Sequence, residues 1–421
     1  MSPSLGTPSP YQHYLSALSA QTRDLQSGER FEIALCLSGG GYRASLFHLG
    51  ALRRLHEIGA LRRVDAISSV SGGSIFSAFL ATAMVKKGLS QSLNFADWEN
   101  DVAKPFRQFT SHDIRTLPVL LHCLWNWLTP APRLKQLEST YRSLLTRLTL
   151  AQLPSHPRFI LCSTDLTFGV NWEFGRGYAG DYQVGYSKAA ASWPLARAVA
   201  ASSSFPPIFG PMRIRASSAE FEEGDYQKPD RAEILSRVHL SDGGVYDNMG
   251  LEPVWKKSNL VLISDCGAPF SFRIGETPWS RLLRYTSVLT KQTAALRMRA
   301  FFADIHFKQF DGTHWSLTQA LPPGTPPPHG SLPGYSLNLV QDVIANIRTD
   351  LDSFSEAEQF VLENHGYIVA DHAIRKYLPQ LMPPASPPAA APHPEWLDEA
   401  KVRAALKDSS KRFSLRRLFH R

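Results

Sequence analysis

An α/β fold built on a parallel sheet is predicted for this chain by three observations. Two consecutive segments read strand, glycine turn, helix: "FEIALCLS", "GGGY" and "RASLFHLGALRRLHEIGAL" from Phe31, then "VDAISSV", "SGG" and "SIFSAFLATAMVKKG". The first of these helices repeats apolar residues at Leu46, Leu49, Leu52 and Leu55, with Arg53 and Arg54 on the other side. The same rhythm resumes downstream at "RVHLSDGGVYDNMGLEPV" and "NLVLISDCGAP". Successive strand–turn–helix units call for parallel strands joined by right-handed crossovers.

The elements follow in order. Residues 1–30 form a polar lead-in with one helix expected around "YQHYLSALSAQTRDL". The α/β domain runs over 31–378, interrupted by a helical insertion at about 90–150 that contains "LPVLLHCLWNWLTP". Strand-like "RFILCSTDL" and "NWEFG" come next, then the small-residue segment "AVAASSSFPPIFGPM" and a polar loop from Ser217 to Glu233. Helical pattern dominates about 278–303, and one further helix is expected from "VQDVIANIRTDL" through to "HAIRKYL". Residues 379–395 read as a Pro/Ala-rich linker, and 396–421 as a basic tail.

Composition narrows the class of molecule. The 421 residues are 43% hydrophobic and 19% charged, the balance of a globular chain with a real core. Four scattered cysteines, Cys36, Cys123, Cys162 and Cys266, have neither zinc-knuckle nor disulfide-framework spacing and fit a reducing compartment. The first 30 residues lack a basic and an apolar region of signal-peptide type, and the longest apolar runs fall short of a membrane span. A cytoplasmic chain is therefore expected, peripheral at the membrane if it meets one. Of the net charge of +8, residues 401–421 carry +7, so the charge belongs to a tail. A nucleic-acid-binding face is not expected.

Three segments carry chemistry. In "SGGGYRA" the glycines Gly39, Gly40 and Gly41 let backbone N–H groups turn outward at a helix N-terminus, where they suit a phosphate or a developing oxyanion. The phosphate-loop pattern is absent, and the acid expected about 20 residues on for dinucleotide binding is missing. In "SVSGG" Ser71 occupies the next turn, at the place of a nucleophile elbow. Taken alone, this segment fits a nucleophile and a structural turn equally. The glycine loop lies about one α/β unit upstream, so both turns fall side by side at one sheet edge, with Gly40 and Gly41 aimed at an oxyanion formed by attack of Ser71. A serine hydroxyl also needs a base. Asp242 in "SDGGVYDNMG" follows an apolar run and can supply one, although Asp-Gly is also a common turn. Asp247 and Asn248 suit a helix cap or a loop brace.

These motifs in this order resemble the patatin-like phospholipases: a glycine loop followed by Arg in "SGGGYR", a serine elbow in "SVSGG", an intermediate "ASSSFPPIF" and an aspartate in D-G-G. The resemblance spans about residues 31–270, and "SGGGYRA" is also similar to the catalytic core of cytosolic phospholipases A2. It implies a parallel-sheet α/β/α patatin-like domain over 31–378, with the helical insertion and extra C-terminal helices. It further implies a Ser71–Asp242 dyad without a catalytic histidine, an oxyanion hole from Gly39, Gly40 and Gly41, and an Arg43 that steadies the loop or meets lipid phosphate. The implied activity is phospholipase A or lysophospholipase-like hydrolysis of acyl-ester lipid at a membrane surface, without cofactor or metal. One departure stands out: Ser69 occupies the position where family members usually carry Gly.

Other readings stay open on the residues alone. His306 or His314 follows Asp242 in the chain order of a Ser–Asp–His triad. An inactive lipid-binding scaffold, disabled by Ser69, is a second reading. A membrane-damaging effector awaiting an activator is a third. Membrane contact is expected from Trp125 and Trp127 in the insertion, or from the tail, where apolar residues alternate with basic ones.

Overall fold

A computed structural model describes residues 30–114, 131–206, 209–215, 217–267, 269 and 277–411. The lead-in up to residue 29, the apolar segment 117–130 with Cys123, and the tail beyond 411 lie outside the described residues.

The strands in chain order are β1 Phe31–Leu37, β2 Ala66–Val70, β3 Arg158–Asp165, β4 Val170–Gly175, β5 Tyr178–Asp181, β6 Gly185–Ser187, β7 Met212–Arg213, β8 Phe221–Glu222, β9 His239–Asp242, β10 Ser258–Asp265 and β11 Asp311–Ser316. They form one sheet in the order β11-β10-β1-β2-β3-β4-β5-β6-β8, with β9 paired to β3 and β7 to β9. From β11 to β3 every pairing is parallel, as the repeated units predict. Beyond β3 the pairing becomes antiparallel, a wing built from short strands joined by tight turns.

The longer helices are α1 Gly41–Glu57, α2 Gly72–Lys86, α3 Lys104–Thr110, α4 Ala131–Leu144, α5 Leu195–Ser202, α6 Pro278–His306 and α7 Glu356–Tyr377. β1 shows how they are layered. Its Ile33, Leu35 and Leu37 enter one core with α1, α2, α5 and α7, while Ala34 and Cys36 enter a second core closed by Met249, Leu251 and Phe301 of α6. Alternate residues of a strand point to opposite faces, so the sheet is covered on both sides and the architecture is α/β/α.

The single helix expected from about 339 to 377 is broken in two. A short helix ends at Asp342, and α7 starts only at Glu356, where Ser355 and Glu358 form a reciprocal capping box. The residues between them run to the glycine loop. The Pro/Ala-rich stretch expected as a linker is bonded to the body. Pro387 O accepts from Arg54 Nη2 at 2.9 Å, Ala389 N–H donates to Gly330 O at 2.9 Å, and His393 N–H donates to Asn364 Oδ1 at 2.9 Å. No described helix is long and apolar enough to cross a membrane.

α7 lies on α1 with almost no space between them. A Cβ at Gly50 would stand 1.8 Å from Glu363 O, and one at Gly366 would stand 2.0 Å from Phe47 O. These are backbone atoms and cannot step aside. The contact brings Arg54 and Asp371, both fully buried, into an ion pair at 2.6 Å. Gly366→Ala is expected to destabilise the chain by about 1–3 kcal/mol through overpacking, read as a lower urea midpoint. An unchanged midpoint would mean that the two helices separate freely.

Candidate active site

The site begins at the end of β2. In the parallel register Val70 stands opposite Cys162 of β3. β3 outruns β2, and its overhanging residues pair instead with β9, setting Asp242 opposite Ser163. Because β4 fills the other edge of β3, β9 continues along the edge that β2 vacates. Val70, directly before Ser71, and Asp242 thus end their strands opposite consecutive residues of β3. That register brings together Ser71 and Asp242, 171 positions apart in the sequence.

Ser71 has φ 50° and ψ −114°, outside the regions a residue with a Cβ ordinarily occupies. Such a conformation costs about 1–3 kcal/mol and persists only where the surroundings impose it. Here they do. Ser71 N–H donates to Ser202 Oγ at 2.9 Å, Ser71 O accepts from Ile75 N–H at 2.9 Å, and Gly73 N–H donates to Ser38 O at 3.2 Å. A Cβ at Gly72 would fall 2.1 Å from Gly41 O, and one at Gly73 would fall 2.2 Å from Leu37 O. The turn is a nucleophile elbow in geometry, with α2 starting directly behind it.

Ser69, in place of the usual glycine, fits without strain as a β2 residue. Its hydroxyl donates to Ile160 O at 3.3 Å and accepts from Ser74 Oγ at 3.2 Å. Ser74 also contacts Ser202 Oγ at 2.8 Å, and Ser202 donates to Cys162 O at 2.6 Å. The serine crowding is a buried hydroxyl network beneath the elbow. Ser202, at the end of α5, is a site residue that sequence reasoning missed. The only signal was its place in "ASSSFPPIF", which named no acceptor for it.

The glycine loop abuts Ser71. A Cβ at Gly39 would lie 3.1 Å from Ser71 Cβ and 2.5 Å from Asn248 Oδ1. Gly40 at φ 145° and Gly41 at φ 58° take conformations that favour glycine. Gly39 N–H is already given to Asn248 O at 3.0 Å. The N–H groups of Gly40, Gly41 and Gly72 donate to no group among the described residues. Gly72, directly after the serine, joins the predicted loop as a potential donor. Of the two roles open to Asn248, its position fits the brace, its carbonyl accepting from Gly39 N–H. Asp247 braces its own turn, with Oδ1 accepting from Met249 N–H at 3.0 Å and Oδ2 from Leu251 N–H at 2.7 Å.

Of the two roles expected for Arg43, its position fits the loop-steadying one. The buried guanidinium donates to Ala345 O at 3.2 Å, Ile347 O at 2.8 Å and Cys266 O at 3.0 Å. A lipid phosphate would have to displace those carbonyls. His48 lies under the same loop, with Nε2 2.9 Å from Ser38 O and Nδ1 2.7 Å from Ser264 Oγ. Burial holds its pKa down to about 4, so the ring is neutral and structural. Of the triad histidines, His314 sits 3.7 Å from Asp265 and His306 lies exposed at the end of α6. No histidine hydrogen-bonds to Ser71 or Asp242 among the described residues.

Asp242 is buried, and burial pushes its pKa from the ordinary 3.8 up to about 7. The Gly244 N–H, at 2.7 Å from Oδ1, and the neighbouring Ser71 hydroxyl hold it from rising further. Oδ2 is buried and makes no completed hydrogen bond among the described residues. A base of this strength beside a strained serine and unpaired N–H groups suits nucleophilic attack on a carbonyl, with the proton passing to the carboxylate.

The family model described as patatin-like phospholipase matches residues 35–255. No curated protein matches the chain. Similar solved structures include human GIVD cytosolic phospholipase A2, at 14% identity and TM-score 0.49, covering 89% of this chain and 64% of that one. The human enzyme in complex with methyl gamma-linolenyl fluorophosphonate is similar at 16% identity and TM-score 0.45, with the same coverage. VipD from Legionella pneumophila is similar at 13% identity and TM-score 0.35, covering 83% of this chain and 67% of that one. The chain spans less than two-thirds of the human enzyme's length.

The raised pKa of Asp242 has a consequence for stability. The fold favours the protonated acid, so this contribution is fully present below about pH 4 and is lost as pH rises through about 7. Asp242→Asn is neutral at every pH. It is expected to unfold at a higher temperature than wild type at pH 8 and to lose that advantage at pH 5. Equal melting temperatures at pH 8 would mean that the ionised carboxylate is solvated in the fold.

Proposed function

Because the chain belongs to the patatin-like phospholipase family, we propose that it is a serine lipid acyl hydrolase of the phospholipase A or lysophospholipase type, working with a Ser71–Asp242 dyad. The observation that carries the reading is the β3 register, which seats the strained Ser71 and the buried Asp242 side by side against a glycine loop. Ser71 Oγ attacks the ester carbonyl carbon while its proton moves to Asp242. The oxyanion takes hydrogen bonds from Gly40 and Gly41, with Gly72 as a third donor. Gly39, its own N–H committed to Asn248, supplies the absence of a side chain that lets the loop reach Ser71. The tetrahedral intermediate collapses, and the proton on Asp242 passes to the departing alcohol. Water, deprotonated by Asp242, then cleaves the acyl-enzyme. Arg43 positions the loop and does not touch substrate.

Both Ser71→Ala and Asp242→Asn are expected to lower hydrolysis of phospholipid vesicles and of a soluble p-nitrophenyl ester by roughly a thousandfold or more. Unchanged rates in both would sink the dyad. The base must be ionised to work, so wild-type kcat/KM is expected to rise with pH through an apparent pKa of about 7. A profile flat from pH 5 to 9 would remove Asp242 from the role. A fluorophosphonate probe separates this reading from an inactive scaffold, since only a competent elbow labels at Ser71.

Ser202→Ala removes the acceptor of the Ser71 N–H while leaving the reacting groups intact. It is expected to lower kcat on the soluble ester about tenfold with little change in KM, because the elbow loses its register with the oxyanion donors. A rise in KM alone would assign Ser202 to substrate binding instead.

A further inference from the structure

Trp125, Trp127 and the tail beyond residue 411 lie outside the described residues, and Leu406, an apolar tail residue that is described, is buried in the body; α6, however, presents a face with the required chemistry. None of its described side chains from Ser280 to Ala300 is buried. Four large apolar residues of that stretch face solvent: Leu282 is 52% exposed, Tyr285 64%, Leu289 68% and Leu296 58%. At 100° per residue these four fall within about 60° of one another around the helix. Arg281 and Arg299 run along one margin of that stripe, about 40° from Tyr285. The first acidic residue of the helix is Asp304, three turns beyond the middle. The body-facing side of the same helix is different. Thr290 and Arg297 line a narrow cleft with Gly244 and Asn248, and the Arg297 guanidinium stacks over Tyr246 at 4.7 Å. The helix is thus laid beside the turn that carries Asp242, with its apolar stripe turned outward.

We propose that the outward face of α6 is the surface by which the chain docks on an anionic lipid bilayer. An apolar stripe edged by arginines and free of acids is complementary to such a bilayer: acyl chains take the leucines, and negatively charged head groups take the basic margin. Tyr285, apolar with a polar tip, suits the boundary between the two. A second copy of the chain would leave the arginines facing one another, and so fits less well. The purpose of the docking rests on the acyl-hydrolase reading, since it would bring substrate to the side of the site formed by the Asp242 turn; the binding itself does not.

The test uses the full chain carrying Ser71→Ala, so that no lipid is consumed. Its co-sedimentation with vesicles of phosphatidylcholine alone, and of phosphatidylcholine mixed with phosphatidylserine, is compared with that of the same chain also carrying Leu282→Gln, Leu289→Gln and Leu296→Gln. The parent is expected to bind the mixed vesicles more tightly, and the triple variant to lose at least about tenfold of that affinity. The variant's melting temperature should match the parent's, since the replaced side chains are exposed. Equal binding by the two chains overturns the proposal, as does binding indifferent to phosphatidylserine. A parent that is a dimer by light scattering, dissociated by the three substitutions, overturns it in favour of a second copy. Wild-type turnover of a soluble ester, measured separately, reports on the hydrolase reading alone, so that either idea can fail without the other.

Discussion

Two turns of backbone rest on each other at the centre of this molecule, and the rest of the site depends on that contact. Gly72 lies against the carbonyl of Gly41, Gly73 against that of Leu37, and Gly39 against the Cβ of Ser71. A single methyl group at Gly72 or Gly73 would force the turns apart. Their closeness lets one helix N-terminus stand behind the serine while the glycine loop lies directly against it. It also explains how Ser71 holds a backbone conformation that a free chain would abandon. The strain is balanced by hydrogen bonds that no relaxed turn would make, from its own N–H to Ser202 and from Gly73 to Ser38.

In the proposed role of base, the neighbouring acid meets opposing demands. A carboxylate in water is too weak a base to draw a proton from a serine hydroxyl at neutral pH. Removing it from water strengthens it and penalises its charge at once. Asp242 sits where the two balance, with a hydrogen bond from Gly244, the Ser71 hydroxyl beside it, and an Oδ2 that accepts from no other group among the described residues. More donors would stabilise the charge and take away the basicity. This sparse set of donors is therefore consistent with a group kept reactive at the expense of stability.

What was legible in the sequence follows from what each residue type announces by itself. The parallel units, the glycine loop, the elbow and the D-G-G turn are local, and glycine marks places where a side chain cannot fit. The break before α7 was also marked, by the Ser355–Glu358 capping pair, though a long helical pattern masked it. Other features lie between residues far apart and leave no local sign. Nothing in Ser202 names the N–H it accepts from, because any serine can accept. Nothing at 345–350 names the loop it supports, because it offers backbone carbonyls, which every residue has. The α6 stripe has the spacing of a core helix, and only its neighbours decide which side is covered. Ser69 looked like a defect until its partners, Ile160 O and Ser74, showed it as a strand residue with its hydroxyl satisfied.

The support of the glycine loop comes largely from beyond the stretch that matches the family model, which ends at residue 255. Arg43 is held by carbonyls at Cys266, Ala345 and Ile347, Tyr42 N–H donates to Asp350 O at 2.9 Å, and Ser38 Oγ accepts from Cys266 N–H at 2.6 Å. A guanidinium is planar and its donors are fixed in direction, so three carbonyls around it tolerate little relative movement. Shifting the 345–350 segment would take the carbonyls of Ala345 and Ile347 away from the buried Nη1 of Arg43, or drag Arg43 along with the loop two residues away. The C-terminal third is thus no appendage to a finished catalytic unit. It supplies the rigid seat on which the glycine loop meets the serine, and the loop's N–H groups can be no better placed than that seat allows.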